Sequence, residues 1–283
     1  MVVVVASAAP ARADFCMLTQ NGLHLGQGQP AYRESKRDGF KAIFKDYDVV
    51  NLQEVMDPAE PARLAPAGFT VSVSVAKGQS TYREYYAVLT RNAAIRVLDH
   101  ADYPDDAGDF ARPPFGIAVE DSHKSRYWLV DIHAVFGKGG VTPRRMEVAA
   151  MAQVTAFYAG RVLADGTMVE RVVVVGDWNL PATDKAFVEL EQMLPGTLAA
   201  PNVKSSLNAR GEYASAYDHF VWNRHRMNVD FADDPRDTGG FDLESYRDSL
   251  SDHAGVAGYV LAAPGRLRPE GISCPPVRVG AGS

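Results

Sequence analysis

Two packed mixed β-sheets flanked by helices, an α/β class, are what this sequence predicts, on three observations. Nine short runs rich in β-branched and aromatic residues recur along the chain, bounded by Gly, Pro, Asp or Asn. Some are separated by helical patterns, and others follow one another as closely as hairpin partners do. No linker, internal repeat or low-complexity block divides the 283 residues. Residues 14–265 are therefore expected to form one domain, within the range of large single α/β units.

The elements follow in order. The start, "MVVVVASAAPARADF", has an apolar core and then Ala11-Arg12-Ala13. This A-x-A pattern reads as a secretory signal cleaved after Ala13, although its basic segment is missing. "FCMLTQN" and "DVVNLQEV" are the first strands, with a helix over 35–47 between them. "TVSVSVA", "YYAVLTR", "FGIAVE" and "YWLVDIHAV" are the next four. The clearest helix spans 143–158, with Thr142 suited to the N-cap, Pro143 to the first turn and Gly160 just past the end. "RVVVVGDW", a helix over 184–193, "YDHFVW" and "GVAGYVLA" complete the domain, and 266–283 is a tail. Cys16 and Cys274, the two cysteines, lie near opposite ends and could pair in an oxidising compartment.

Composition excludes some functions. The formal net charge of −6 argues against a general electrostatic grip on a polyanion. Local arginines or metal ions must meet any phosphate. No apolar run approaches the ~20 residues of a membrane span.

The polar residues gather at strand ends. Asn21 ends the first strand and Glu54 the second; Asp177 and Asn179 close the four-valine run; Asp252 and His253 precede the last strand. Each alone reads as a turn former. Together they offer the oxygen ligands that Mg²⁺ or Ca²⁺ prefers. The period of a strand puts Tyr82, Glu84 and Tyr86 on one face, and Leu129, Asp131 and His133 on another. A histidine in an apolar strand is commonly a core residue. Two histidines, with Glu84 and Asp218 available to fix their tautomers, suggest acid–base work. Arg144 and Arg145 in "TPRRMEV" read as a solvated surface pair.

In this order, Asn21, Glu54, Glu84, His133, Asp177-x-Asn179, Asp218 and Asp252-His253 resemble the endonuclease/exonuclease/phosphatase superfamily. The resemblance spans nearly the whole mature chain and is closest to secreted deoxyribonuclease I and the nuclease subunit of cytolethal distending toxin. It implies a four-layer sandwich and a metal-dependent phosphodiesterase. The expected activity is an exported, secreted or periplasmic, endonuclease, a monomer cutting double-stranded DNA to 5′-phosphate and 3′-hydroxyl ends. By the same resemblance Glu84 orients His133 and Asp218 orients His253, with Asp177 and Asn179 beneath the reacting phosphate. Glu54, with Asn21 and Asp252 nearby, would bind Mg²⁺, or Ca²⁺ or Mn²⁺. Arg112 in "FARPPFGIAV" would bind a phosphate without touching the pH profile, and Tyr82 would stack on a sugar. The sequence departs from the family in "GDWN" for "GDFN" and in Met56, where deoxyribonuclease I has a minor-groove arginine. Two alternatives are a lipid- or inositol-phosphate-acting member, such as a sphingomyelinase, and a toxin-type binding subunit. The first should carry an exposed aromatic loop, which the sequence does not suggest. The second should have lost part of the constellation.

Overall fold

Two parallel strand pairs form the centre of the molecule, described for residues 14–78, 83–137, 139–268 and Cys274 of a computed structural model. Strands β1 (Asp14–Leu25) and β2 (Val49–Val55) are joined by helix α1 (Pro30–Phe44) and pair in parallel. Strands β7 (Arg126–His133) and β8 (Val172–Asp177), joined by α3 (Thr142–Ala159), do the same. A crossover helix is what allows consecutive strands to run the same way.

Each sheet grows outward by antiparallel pairing. In the first, β4 (Tyr85–Arg91) joins β2, and β3 (Phe69–Val73) joins β4. On its other side β13 (Gly255–Leu261) joins β1, and the short β11 (Asn228–Asp230) and β12 (Arg236–Asp237) join β13. The second sheet runs β5 (Ile95–Asp102), β6 (Phe115–Asp121), β7, β8, β10 (Asp218–Asn223) and β9 (Thr197–Ala200). Three shorter helices are α2 (Glu60–Leu64), α4 (Lys185–Met193) and α5 (Leu243–Ser249).

The valine run shows how the layers form. Val173 and Val175 enter the core between the sheets, with Phe15, Leu129 and Phe220. Val172 and Val174 point the other way, onto Val154 of α3 and Phe187 of α4. A third core, with Leu18, Leu52, Phe40 and Tyr246, lies under α1 and α5. The layers are thus helix, sheet, sheet, helix, as predicted. Leu129→Ala in the central core would cost about 2–5 kcal/mol, the range for a large cavity.

Element boundaries differ from expectation where local chemistry was misjudged. Helix α1 begins at Pro30, five residues early, because an extended Gln29 hands the chain to a proline already set for a first turn. Helix α3 begins at Thr142, so Val141 takes the cap position without a side-chain bond and Thr142 is not the cap. Strand β5 was not anticipated. Its exposed Arg96 and His100 break up the apolar pattern, as an edge strand allows.

Cys16 and Cys274 are disulfide-bonded, with Cα atoms 5.3 Å apart, so the tail is tied to β1. The expected cleavage after Ala13 lies outside the described residues. Among the described residues no helix is long and apolar enough to cross a membrane.

Candidate active site

The ends of β1, β2, β7 and β8 and the beginnings of β10 and β13 converge on one edge of the sandwich. The register aligns His133 with Asp177 across β7 and β8, and Asp218 with Asp177 across β10 and β8. Gly176 makes the close approach possible. It sits at φ +144°, and a Cβ there would lie 1.9 Å from the Ile132 carbonyl oxygen. Asn179 and Glu54 both adopt left-handed backbone, at φ +50° and +54°. Asn tolerates this conformation and Glu seldom does, so the β2 irregularity at Glu54 is a strained feature, of the kind that clusters at functional sites.

Two histidine–carboxylate pairs face each other across Asp177. His133 Nδ1 lies 2.7 Å from Glu84 Oε1, and His253 Nδ1 lies 2.7 Å from Asp218 Oδ2. The outward Nε2 atoms are 3.7 and 3.8 Å from Asp177 Oδ2. Asn179 is held in place by its backbone N–H, which donates to Asp177 Oδ1, and by its Nδ2, which donates to the Ala134 carbonyl. For His253, burial opposes the charge, but Asp218 and Asp177 outweigh it and hold the imidazolium well above its ordinary range. For His133, burial and Arg112 oppose the charge; Glu84 and Asp177 still raise it, to a lesser degree. Burial raises the Asp177 carboxyl, partly offset by His253.

The acidic oxygens leave room for a cation's chemistry. Asn21 Nδ2 donates to Glu54 Oε1 at 3.0 Å and to Asp177 Oδ2 at 3.2 Å. Two carboxylates therefore converge on one neutral amide, a hard-oxygen set that fits Mg²⁺, Ca²⁺ or Mn²⁺. Asn21 itself presents N–H to the pair, while its Oδ1 accepts from the Leu23 N–H. In this arrangement the Asn21 amide orients the two carboxylates. Asp252 is half-buried and acts on His253 and Lys36 as a nearby negative charge. Asp177, Asp218 and His253 could also group around an ion. We favour Glu54 with Asp177, because His253 Nδ1 and the Ser205 hydroxyl, at 2.6 Å, already occupy Asp218 Oδ2.

Arg112 is largely buried beside Glu84. Its Nε and Nη2 donate to the His133 and Ala134 carbonyls, and Nε lies 3.1 Å from Glu84 Oε1. It braces the Glu84–His133 pair, so its charge bears on His133 directly, contrary to the expectation of an untouched pH profile. Tyr82 lies outside the described residues.

The sequence also hid several contributors. Arg144 and Arg145 are not a solvated pair. Arg144 is buried and donates to the Asn179 carbonyl at 2.9 Å, while Arg145 holds Asp184, the cap of α4, with two bonds of 2.9 Å. Glu147 accepts from the Ala111 and Val135 N–H groups, joining the two loops that flank Arg112. Lys36, 1% exposed, donates to the Leu23 carbonyl and sits in the field of Glu54 and Asp252, with burial lowering it to about 8. A signal existed: Lys36 shares the i, i+4, i+7 stripe of Phe40 and Ile43, and Arg144 and Glu147 share that of Val148 and Met151. Charged residues on a buried stripe need partners. Phe136, which the sequence did not single out, is 62% exposed.

A sequence profile of the Endonuclease/Exonuclease/phosphatase family matches residues 18–253. Among curated proteins, the chain is 29% identical to a deoxyribonuclease of Thioalkalivibrio sp. (strain K90mix), over 92% of this chain and 74% of that protein. It is 25% identical to deoxyribonuclease-1-like 1 of Sus scrofa, over 85% of this chain and 79% of that one. The catalytic domain of human Nocturnin superimposes with a TM-score of 0.60 at 14% identity, covering 89% of this chain and 96% of that one. Truncated Caenorhabditis elegans TDP2 gives 0.61 at 14% identity, covering 88% and 98%. Structural likeness at such identities speaks to the fold alone.

Proposed function

Because the chain belongs to the endonuclease/exonuclease/phosphatase family, we propose that this hydrolase is a divalent-metal-dependent endonuclease that cuts DNA to 5′-phosphate and 3′-hydroxyl ends. The observation that carries the reading is the mirrored arrangement of Glu84–His133 and Asp218–His253 about Asp177. It supplies a proton acceptor and a proton donor on the two sides of one point, as displacement at a phosphodiester requires. The deoxyribonuclease names of the curated relatives support DNA as the substrate.

The difference between the histidines divides the work. His253 keeps its proton to higher pH and protonates the leaving oxygen. His133, opposed by Arg112, takes the proton from the attacking water. Glu84 and Asp218 fix both tautomers through Nδ1, leaving Nε2 to the substrate. Asp177 Oδ2 stabilises whichever imidazolium forms. An ion held by Glu54 and Asp177 would screen the phosphate oxygens and offset the charge that develops on them. The Cys16–Cys274 disulfide supports export to an oxidising compartment.

Supercoiled plasmid tests the reading, incubated with Mg²⁺, Ca²⁺, Mn²⁺ or EDTA beside RNA and sphingomyelin. The expected result is metal-dependent nicking that EDTA abolishes. Full activity in excess chelator, or turnover of sphingomyelin alone, would overturn it.

A further inference from the structure

We propose that Phe136 is a stacking platform for a nucleobase next to the scissile phosphate. The inference rests on the reading of the protein as a nuclease and adds a substrate contact to it. Phe136 is 62% exposed although it follows His133 by only three residues. Large apolar side chains in so exposed a position beside polar groups mark a binding surface. The ring is not loose. One side is backed by the Arg144 guanidinium, 4.6 Å from its centroid. Arg144 is in turn buried and bonded to the Asn179 carbonyl, in the loop that follows Asp177. The Tyr217 ring lies 6.4 Å from Phe136 and 6.5 Å from the His253 imidazole. A row of rings thus leads from the reacting histidine to an exposed aromatic backed by a cation.

That row matches the chemistry of a nucleic-acid strand. Stacking on an aromatic tolerates any base, because every base has a π-face, and an arginine behind the ring adds positive potential beside the phosphates. A lipid surface is the rival occupant, because Val141 and Met146 are also exposed nearby, at 40% and 62%. The base is favoured for two reasons. Inserting Phe136 into acyl chains would carry the buried Arg144 charge towards hydrocarbon. The next described residues, Gly137, Gly139 and Gly140, add no apolar side chain to an insertion loop. A paired duplex covers its base faces, so the platform serves single-stranded or unstacked nucleotides best.

The test is steady-state cleavage of a single-stranded oligodeoxynucleotide by the wild type and by Phe136→Ala, Phe136→Leu and Phe136→Trp. Phe136→Ala should raise KM about tenfold, the scale of one lost base–aromatic stack. Its loss should be larger on the oligonucleotide than on methyl p-nitrophenyl phosphate, which has no base. Phe136→Trp should restore the KM and Phe136→Leu should not, since only the former has a π-face. Equal rescue by leucine, or wild-type KM in Phe136→Ala, would overturn the proposal. So would binding to phosphatidylserine–phosphatidylcholine vesicles that Phe136→Ala abolishes while DNA kinetics stay unchanged. A wild type that cuts no DNA would remove the nuclease reading first, before any variant is compared, and this proposal with it.

Discussion

The two histidine pairs are near copies in their contacts and opposites in their surroundings. Each Nδ1–carboxylate bond is 2.7 Å, and each Nε2 lies just under 4 Å from the same oxygen, at 3.7 and 3.8 Å. Beside Glu84–His133 stands the Arg112 guanidinium, which disfavours a second positive charge. Beside Asp218–His253 stands the Asp252 charge, which favours one. The same hydrogen bond therefore holds a proton less firmly on one side than on the other. Neighbouring charge, not pair geometry, distinguishes the two pairs.

Removing the shared element should do the most damage. Asp177→Asn keeps the shape but takes the common negative charge from both imidazoles and from the metal site. DNA cleavage should fall by about 10⁴-fold or more, at least the upper limit of a single acid–base loss. Residual activity near the wild type would show that the pairs do not work through Asp177.

Next come the histidines. His133→Ala and His253→Ala should each cost on the order of 10²–10⁴-fold, with the fold preserved by circular dichroism. The double variant should be little worse than the weaker single, because the pair acts as a unit. Fully multiplicative losses would mean two independent sites.

A smaller effect separates their roles. A general acid must hold its proton, so the rate should fall as pH rises through the raised His253 value. Asp218→Asn removes the leading charge that raises it, and the alkaline limb should move to lower pH. A general base must be free of its proton, so the acid limb belongs to His133. Glu84→Gln should move that limb to lower pH. The smallest expected shift is that of Arg112→Met. Arg112 lowers His133, so its loss should move the acid limb to higher pH. Movement of the acid limb by Asp218→Asn, and of the alkaline limb by Glu84→Gln and Arg112→Met, would exchange the assignments.

Much of this was legible from residues that strands must place. The valine run ending in Asp177, "LQE" ending β2 and "SDH" opening β13 put polar groups where buried strands stop, and chain direction then fixed a common edge. The period of two in "YWLVDIHAV" put Asp131 and His133 on one face. The structure bears this out, with Asp131 bonded to Gln53 between the sheets. What was not legible depends on tertiary partners. Nothing near Ser205 announces its 2.6 Å bond to Asp218, since the contact closes a loop of the fold. Arg144 reads as a surface charge until the Asn179 carbonyl it satisfies is in place.

The division of acid and base requires that His253 hold its proton more tightly than His133. Imidazole ¹⁵N titration by NMR on the metal-free protein tests it most directly, with His133→Gln and His253→Gln used to assign the signals. Both histidines should titrate above the free imidazole range, with His253 at the higher pH. A higher value for His133 than for His253 would contradict it and reverse the acid and the base.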